Sequence, residues 1–143
     1  MTPHVVDIKV RFSDVDFAQI VYYPRFYHYF HVAFEELFER RLGLRYSQVM
    51  IDQHVGYPSV HTECDYRAPL RFGDVLRVEV TCARLGTKSV TLRYRGHRAK
   101  DGVLSVEGLV TTACVDMRTF TAREVPAAHR TMFEGFLEPP AAN

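Results

Sequence analysis

Beyond residue 74 the chain is written largely in a period of two. Leu76, Val78, Val80 and Cys82 alternate with Arg77, Glu79 and Thr81, and Val90, Leu92 and Tyr94 alternate with Thr91, Arg93 and Arg95. That period marks strands with one buried face. Their connections are short, Asp101-Gly102 being a strong hairpin signal. A parallel crossover needs a dozen residues or more, so these strands run antiparallel. Val103–Asp116 reads as a further strand. Val55–Arg67 reads as another, with Pro58 marking an edge or a bulge, and Val6–Phe12 as the first.

One long segment breaks the pattern. After Pro24, which suits the first position of a helix, Tyr27, Phe30, His31, Phe34, Leu37 and Phe38 recur at helical spacing, and Gly43 ends the run. Shorter helices are expected at Ser47–Gln53, with Ser47 as N-cap, and within Pro126–Phe136. The order is a strand, one long helix, then about four strands. It specifies an α+β fold in which an antiparallel sheet wraps around a central helix. A chain of 143 residues suits a single domain, taken as 1–137, with 138–143 a flexible tail.

Charge excludes several functions. Eighteen Lys and Arg against seventeen Asp and Glu leave +1, which gives no whole-molecule reason to bind nucleic acid or a membrane surface. No run of about 18 apolar residues is present to span a bilayer. The opening residues lack the basic-then-apolar layout of a secretory leader. Three cysteines, Cys64, Cys82 and Cys114, form neither a CxxC pair nor a disulfide framework. A cytoplasmic protein is expected.

The chemistry concentrates between Arg11 and Tyr27. Eleven of the eighteen aromatic residues lie between Phe12 and Tyr46. Asp14 and Asp16 alternate on an extended segment, so one carboxylate can face a pocket while the other caps backbone. Tyr23 follows at the start of the long helix, where unpaired N–H groups and the positive dipole end polarise a carbonyl. A carboxylate beside such a carbonyl attacks it or activates water against it. A solvated turn and plain core packing are the competing readings of the same residues.

The stretch Ser-Asp-Val-Asp-Phe-Ala-Gln-Ile-Val-Tyr-Tyr-Pro-Arg-Phe resembles the opening motif of hotdog-fold acyl-CoA thioesterases of the 4-hydroxybenzoyl-CoA thioesterase and tol-pal-associated type. Tyr66-Arg-Ala-Pro69 and Gly73-Asp-Val-Leu76 stand where that family carries Tyr-x-x-Pro and Asp-x-Leu. The resemblance spans roughly residues 5–118. It implies a five-stranded antiparallel sheet around the helix, in a dimer or a dimer-of-dimers tetramer. It implies Asp16 as the catalytic carboxylate, nucleophile or general base, and the Tyr23 N–H as the carbonyl-polarising donor. Gln19 departs from the family pattern, which has Gly there, and becomes a candidate to touch the thioester or the attacking water. Tyr23 in place of the tol-pal branch's His favours an aromatic acyl group.

Six basic residues and no acidic ones lie between Val80 and Lys100. Arg84 and Lys88 flank a Gly turn suited to phosphates, and the resemblance places the nucleotide near it; Arg93, Arg95 and Arg98 read equally well as a solvated strand face. Tyr27 and His31 are candidates for the acyl pocket, with a core histidine the alternative at His31. His28 and His31 lack further ligands, so neither a metal nor a cofactor is expected beyond the coenzyme A of the substrate. The expected function is hydrolysis of a small, 4-hydroxybenzoyl-like acyl-CoA. A short-chain aliphatic acyl-CoA thioesterase and a non-catalytic acyl-CoA-binding protein are the alternatives. A hydratase is disfavoured because no His follows Asp16 within the loop or first helical turn.

Overall fold

The computed structural model describes residues 1–140. In chain order the elements are β1 (His4–Lys9), α1 (Arg25–Leu42), α2 (Tyr46–Ile51), β2 (Val55–Gly56), β3 (Ser59–Tyr66), β4 (Val75–Leu85), β5 (Ser89–Arg98), β6 (Leu104–Ala113), β7 (Val115–Asp116), β8 (Thr121–Ala122) and α3 (Ala127–Glu134). Five strands form one sheet in the order β1-β4-β5-β6-β3. Every pairing in it is antiparallel. The expected α+β arrangement is therefore present, with a second, three-stranded sheet β2-β7-β8 that the sequence pattern does not announce. The expected strands at 55–67 and 103–116 each split in two. Pro58 interrupts the first, and Cys114, whose N–H turns to the carbonyl of Lys88, interrupts the second.

The 18-residue α1 lies against the inner face of the large sheet. It buries Phe26, Tyr29, Phe30, Ala33, Phe34, Leu37 and Phe38. The stripe is rotated slightly from the expected one, because Tyr27 and His31 lie on the flank nearest β3, where the sheet ends. Phe30 stacks on Tyr94 of β5 at 4.7 Å between ring centroids. Gly108 of β6 permits that approach, since a Cβ there would stand 2.6 Å from the Phe30 ring. Gly43 closes the helix in the left-handed conformation, φ 68°, and Arg40 and Arg41 occupy the last turn, where the dipole favours cations. α2 begins at Tyr46 rather than at Ser47, and its first turn is capped by the Gln48 carboxamide accepting from the Arg45 N–H. Among the described residues no helix is long and apolar enough to cross a membrane.

Phe136–Glu138 takes the lane beside β4 that β1 leaves at Val80. The Cys82 N–H donates to the carbonyl of Phe136, and the Glu138 N–H donates to the carbonyl of Cys82. Glu138, expected to begin a fraying tail, is instead held on the outer face of the sheet. Arg93 Nε donates to its carboxylate at 2.6 Å and Thr81 Oγ1 at 3.0 Å. Burial alone would raise the Glu138 carboxyl, but the Arg93 and Thr81 hydrogen bonds overcome that and hold it below its ordinary range. The remainder of the expected tail, 141–143, lies outside the described residues.

Candidate active site

The loop between β1 and α1 is organised by its two aspartates in different ways. Asp14 is buried and ties the loop's ends together. Its carboxylate accepts from the Arg11 N–H at 2.9 Å, its carbonyl accepts from the Tyr22 N–H at 2.9 Å, and Arg25 stands 4.0 Å away. Asp16 is exposed at the base of a small hairpin closed by a Val15–Val21 bridge. The Asp16 N–H donates to the carbonyl of Ile20, and the Gln19 N–H donates to the carbonyl of Asp16. Asp14 caps backbone as expected, but from the end of a 3₁₀ turn, Phe12–Asp14, rather than from an extended segment, and Asp16 is the exposed one of the pair.

One Asp16 oxygen accepts from the Ala18 N–H at 2.8 Å, the other has no hydrogen-bond partner in the protein, and the residue lines the adjoining groove. That groove, about 670 Å³, is lined by Phe12, Phe17, Gln19, Arg71 and Phe72. Gln19 has φ 68°, the left-handed conformation that follows a type I turn in three-residue hairpins. Here is the physical reason for a Gly at this position in the motif that the chain resembles. A non-Gly residue held there carries about 1 kcal/mol of backbone strain. Gln19→Gly is accordingly expected to raise Tm by about 3 °C. A thermal melt showing no rise would mean that the Gln19 side chain makes compensating contacts.

Tyr23 follows the hairpin at the N-terminal end of α1. Pro24, the helix N-cap, has no N–H, and the first turn is closed by Arg25 donating to Tyr22 and Phe26 donating to Tyr23. Among the described residues no backbone carbonyl accepts from the Tyr23 N–H. A donor with no protein partner, at the positive end of a helix about 27 Å long, is suited to an oxyanion. Its ring packs edge-on to Tyr66 at 6.0 Å, beside a groove of about 410 Å³ floored by Phe26, Pro69 and Leu70.

Tyr27 and His31 meet in a chamber of about 180 Å³ between α1 and the sheet, with Phe30, Phe34, Tyr94 and Thr62 among its walls. His31 is not a core histidine. It is exposed, its Nδ1 pairs with Glu35 at 3.1 Å, and its ring leans on Phe34 and Tyr46. Among the described residues no group of three or more His, Cys, Asp or Glu side chains converges on a point.

Arg84 and Lys88 stand far from the Asp16 hairpin of their own chain. The loop end of β4, at Val75, adjoins Lys9 of β1, whereas the β4–β5 turn lies at the other end of an 11-residue strand. At about 3.3 Å per residue the two ends are about 33 Å apart. The other basic residues of that region are structural. Arg93 pairs with Glu138, Arg95 stands 3.7 Å from Glu107, and Arg98 pairs with Asp101 while donating to the carbonyl of Pro69. Arg67 lines the groove beside Tyr23 and Arg71 the groove beside Asp16, neither of them singled out by the sequence pattern.

A family model described as the thioesterase-like superfamily matches residues 10–133. The chain belongs to the thioesterase-like superfamily. Its activity is thioester hydrolysis. Among relatives, a 1,4-dihydroxy-2-naphthoyl-CoA hydrolase of Synechococcus sp. (strain CC9605) is 33% identical over 111 residues, covering 74% of this chain and 69% of the relative. Among solved structures, a thioesterase-superfamily protein from Jannaschia sp. CCS1 superposes with TM-score 0.89 at 26% identity, covering 96% of this chain and 95% of that one. A protein named BH1999 gentisyl-coenzyme A thioesterase superposes with TM-score 0.78 at 28% identity, covering 88% of this chain and 98% of that one. For this thioesterase the matched span contains the Asp16 hairpin, the Tyr23 helix end and all of the large sheet except β1.

Proposed function

We propose that the chain hydrolyses a small aromatic acyl-CoA to the free acid and coenzyme A. The observation that carries this reading is the partnerless Tyr23 N–H at the start of α1, beside a hairpin that leaves one Asp16 oxygen free. A thioester carbonyl oxygen at Tyr23 is polarised there. Two routes then lead to product. In one, Asp16 forms a bond to the carbonyl carbon, the coenzyme A thiolate leaves, and water hydrolyses the mixed anhydride. In the other, Asp16 takes a proton from water as that water attacks, and the departing thiolate takes up a proton.

The flat walls of Tyr27, Phe30 and Tyr94 suit an aromatic ring, and a cavity of about 150 Å³ is enough to hold benzene. The chamber's 180 Å³ therefore fits one substituted ring. His31 and Thr62 supply polar atoms for a ring hydroxyl.

The reading also pairs two copies along β3. This edge strand is exposed at every residue but Cys64, with its outer ladder unpaired. Such an edge is a template for another strand. Antiparallel pairing of β3 with its copy brings the second copy's β4–β5 turn to the Asp16 end, about three strand spacings or roughly 15 Å from β3. Arg84 and Lys88 of that second copy then serve the coenzyme A phosphates.

Thiol release from a panel of benzoyl-, 4-hydroxybenzoyl-, phenylacetyl- and short aliphatic acyl-CoAs tests the function. Aromatic members are expected to have the highest kcat/KM. Preference for the aliphatic members would overturn the aromatic assignment, and tight binding without thiol release would make this a binding protein.

A further inference from the structure

The single-ring chamber is not the end of the apolar space beneath α1. It shares His31, Tyr57 and Ser59 with a second cavity of about 620 Å³, which continues toward α2 and the small sheet. Met50, Ile51, Tyr46, Met117 and Phe120 supply its mainly apolar lining. Its volume lies within the roughly 300–1,000 Å³ of sites that hold drug-sized ligands. The unbranched, polarizable side chains of Met50 and Met117 adapt to ligands of varied shape.

The wall formed by the β7–β8 turn carries a second, independent feature. Phe120 has φ 54°, a left-handed conformation that bulky residues rarely adopt, and its ring is 64% exposed. The Phe120 N–H donates to the carbonyl of Asp116 at 2.7 Å, while the Asp116 carboxylate accepts from the Arg118 N–H. The turn is thus braced so that a strained aromatic residue borders the cavity rather than joining the core. Backbone strain held in place by its surroundings is common at ligand clamps.

We infer that this second cavity is an acyl extension site, so that the enzyme accepts an elongated apolar acyl group whose distal part passes the His31–Tyr57 constriction and lies against Met50, Met117 and Phe120. The inference rests on the thioesterase reading and deepens it. The substrate class widens from a single ring to an acyl group of about ten carbons, and the β7–β8 turn becomes a determinant of length.

The test compares kcat/KM for decanoyl-CoA and benzoyl-CoA, measured as thiol release by the full chain. Ser47, exposed on α2 and lining the cavity, is replaced by Phe to fill it. S47F is expected to lower the decanoyl-to-benzoyl ratio at least tenfold. F120G relieves the left-handed strain but removes an apolar wall of the cavity, and is expected to raise Tm while lowering that ratio at least threefold. A higher Tm with an unchanged ratio is what a purely structural Phe120 would give. Ratios within twofold of wild type in both variants, or a wild-type enzyme that turns over benzoyl-CoA but not decanoyl-CoA, would overturn the extension site. No thiol release from any acyl-CoA would instead overturn the thioesterase reading on which it stands.

Discussion

Asp16→Asn is expected to lower kcat and kcat/KM together by about 10³-fold, with folding stability unchanged. The substitution keeps the acceptor for the Ala18 N–H and so preserves the hairpin. It removes the negative charge that either route needs, as nucleophile or as base. Interactions made only in the transition state reduce both kinetic parameters in step. Asp14→Asn should behave differently. Asp14 is buried among loop-tying contacts, so its loss acts through the loop's order and shows first in Tm. Single turnover in heavy-oxygen water separates the two routes for Asp16, because label enters its carboxylate only when an anhydride forms. Normal turnover by the Asp16→Asn variant would remove this carboxylate from the chemistry altogether.

The largest expected effect on stability comes from two buried histidines remote from the Asp16 hairpin. His4 lies under α1 with Nε2 donating to the carbonyl of Ala33, and burial, aided by Arg40 and Arg41, lowers its pKa to about 4. His129 of α3 accepts at Nδ1 from the Tyr57 hydroxyl at 2.8 Å, and burial lowers its pKa to about 4 as well. The unfolded chain protonates histidine near 6.5, before the folded one does. Stability contributed by keeping them neutral is therefore complete above pH 6.5 and is lost as pH falls toward 4. Each site accounts for up to about 3 kcal/mol, against a total of about 5–15 for a domain. Asp74, Asp101, Asp116 and Glu138, all with lowered pKa, add a separate loss at lower pH as they protonate. Urea melts across pH 7 to 4 check this. The double variant His4→Gln, His129→Gln keeps neutral hydrogen-bonding groups and should flatten the curve between 6.5 and 4. An unchanged slope in that variant would place the acid sensitivity elsewhere.

What could be read from the residues divides along a physical line. Period-two alternation and the Pro24-to-Gly43 helix are local patterns, and they specified β4, β5 and α1 closely. The contrast between Asp14 and Asp16 was expected from alternation on an extended segment, whereas Asp14 is buried because it ends the 3₁₀ turn Phe12–Asp14 and caps it. That the Arg84–Lys88 turn stands at the far end of β4 from the Asp16 hairpin was not legible, because distance along a strand is lost when neighbouring hairpins are read as a charge cluster. Ion pairing with Glu107 and Glu138 is long-range too, and it converts Arg93 and Arg95 from candidate phosphate ligands into braces of the outer face. His31 carried a core periodicity yet lies exposed, because the sheet stops at β3 and leaves that helix flank uncovered. The left-handed Gln19 was visible only as a departure from the family Gly, and the backbone explains why Gly belongs there.

The central claim is that the thioester carbonyl binds between the Tyr23 N–H and Asp16. A crystal structure with a non-hydrolysable ketone analogue of benzoyl-CoA tests it most directly. The ketone oxygen is expected about 3 Å from the Tyr23 nitrogen, with the carbonyl carbon facing the free Asp16 oxygen. A carbonyl bound away from the start of α1, with the Tyr23 N–H still without a partner, would contradict it.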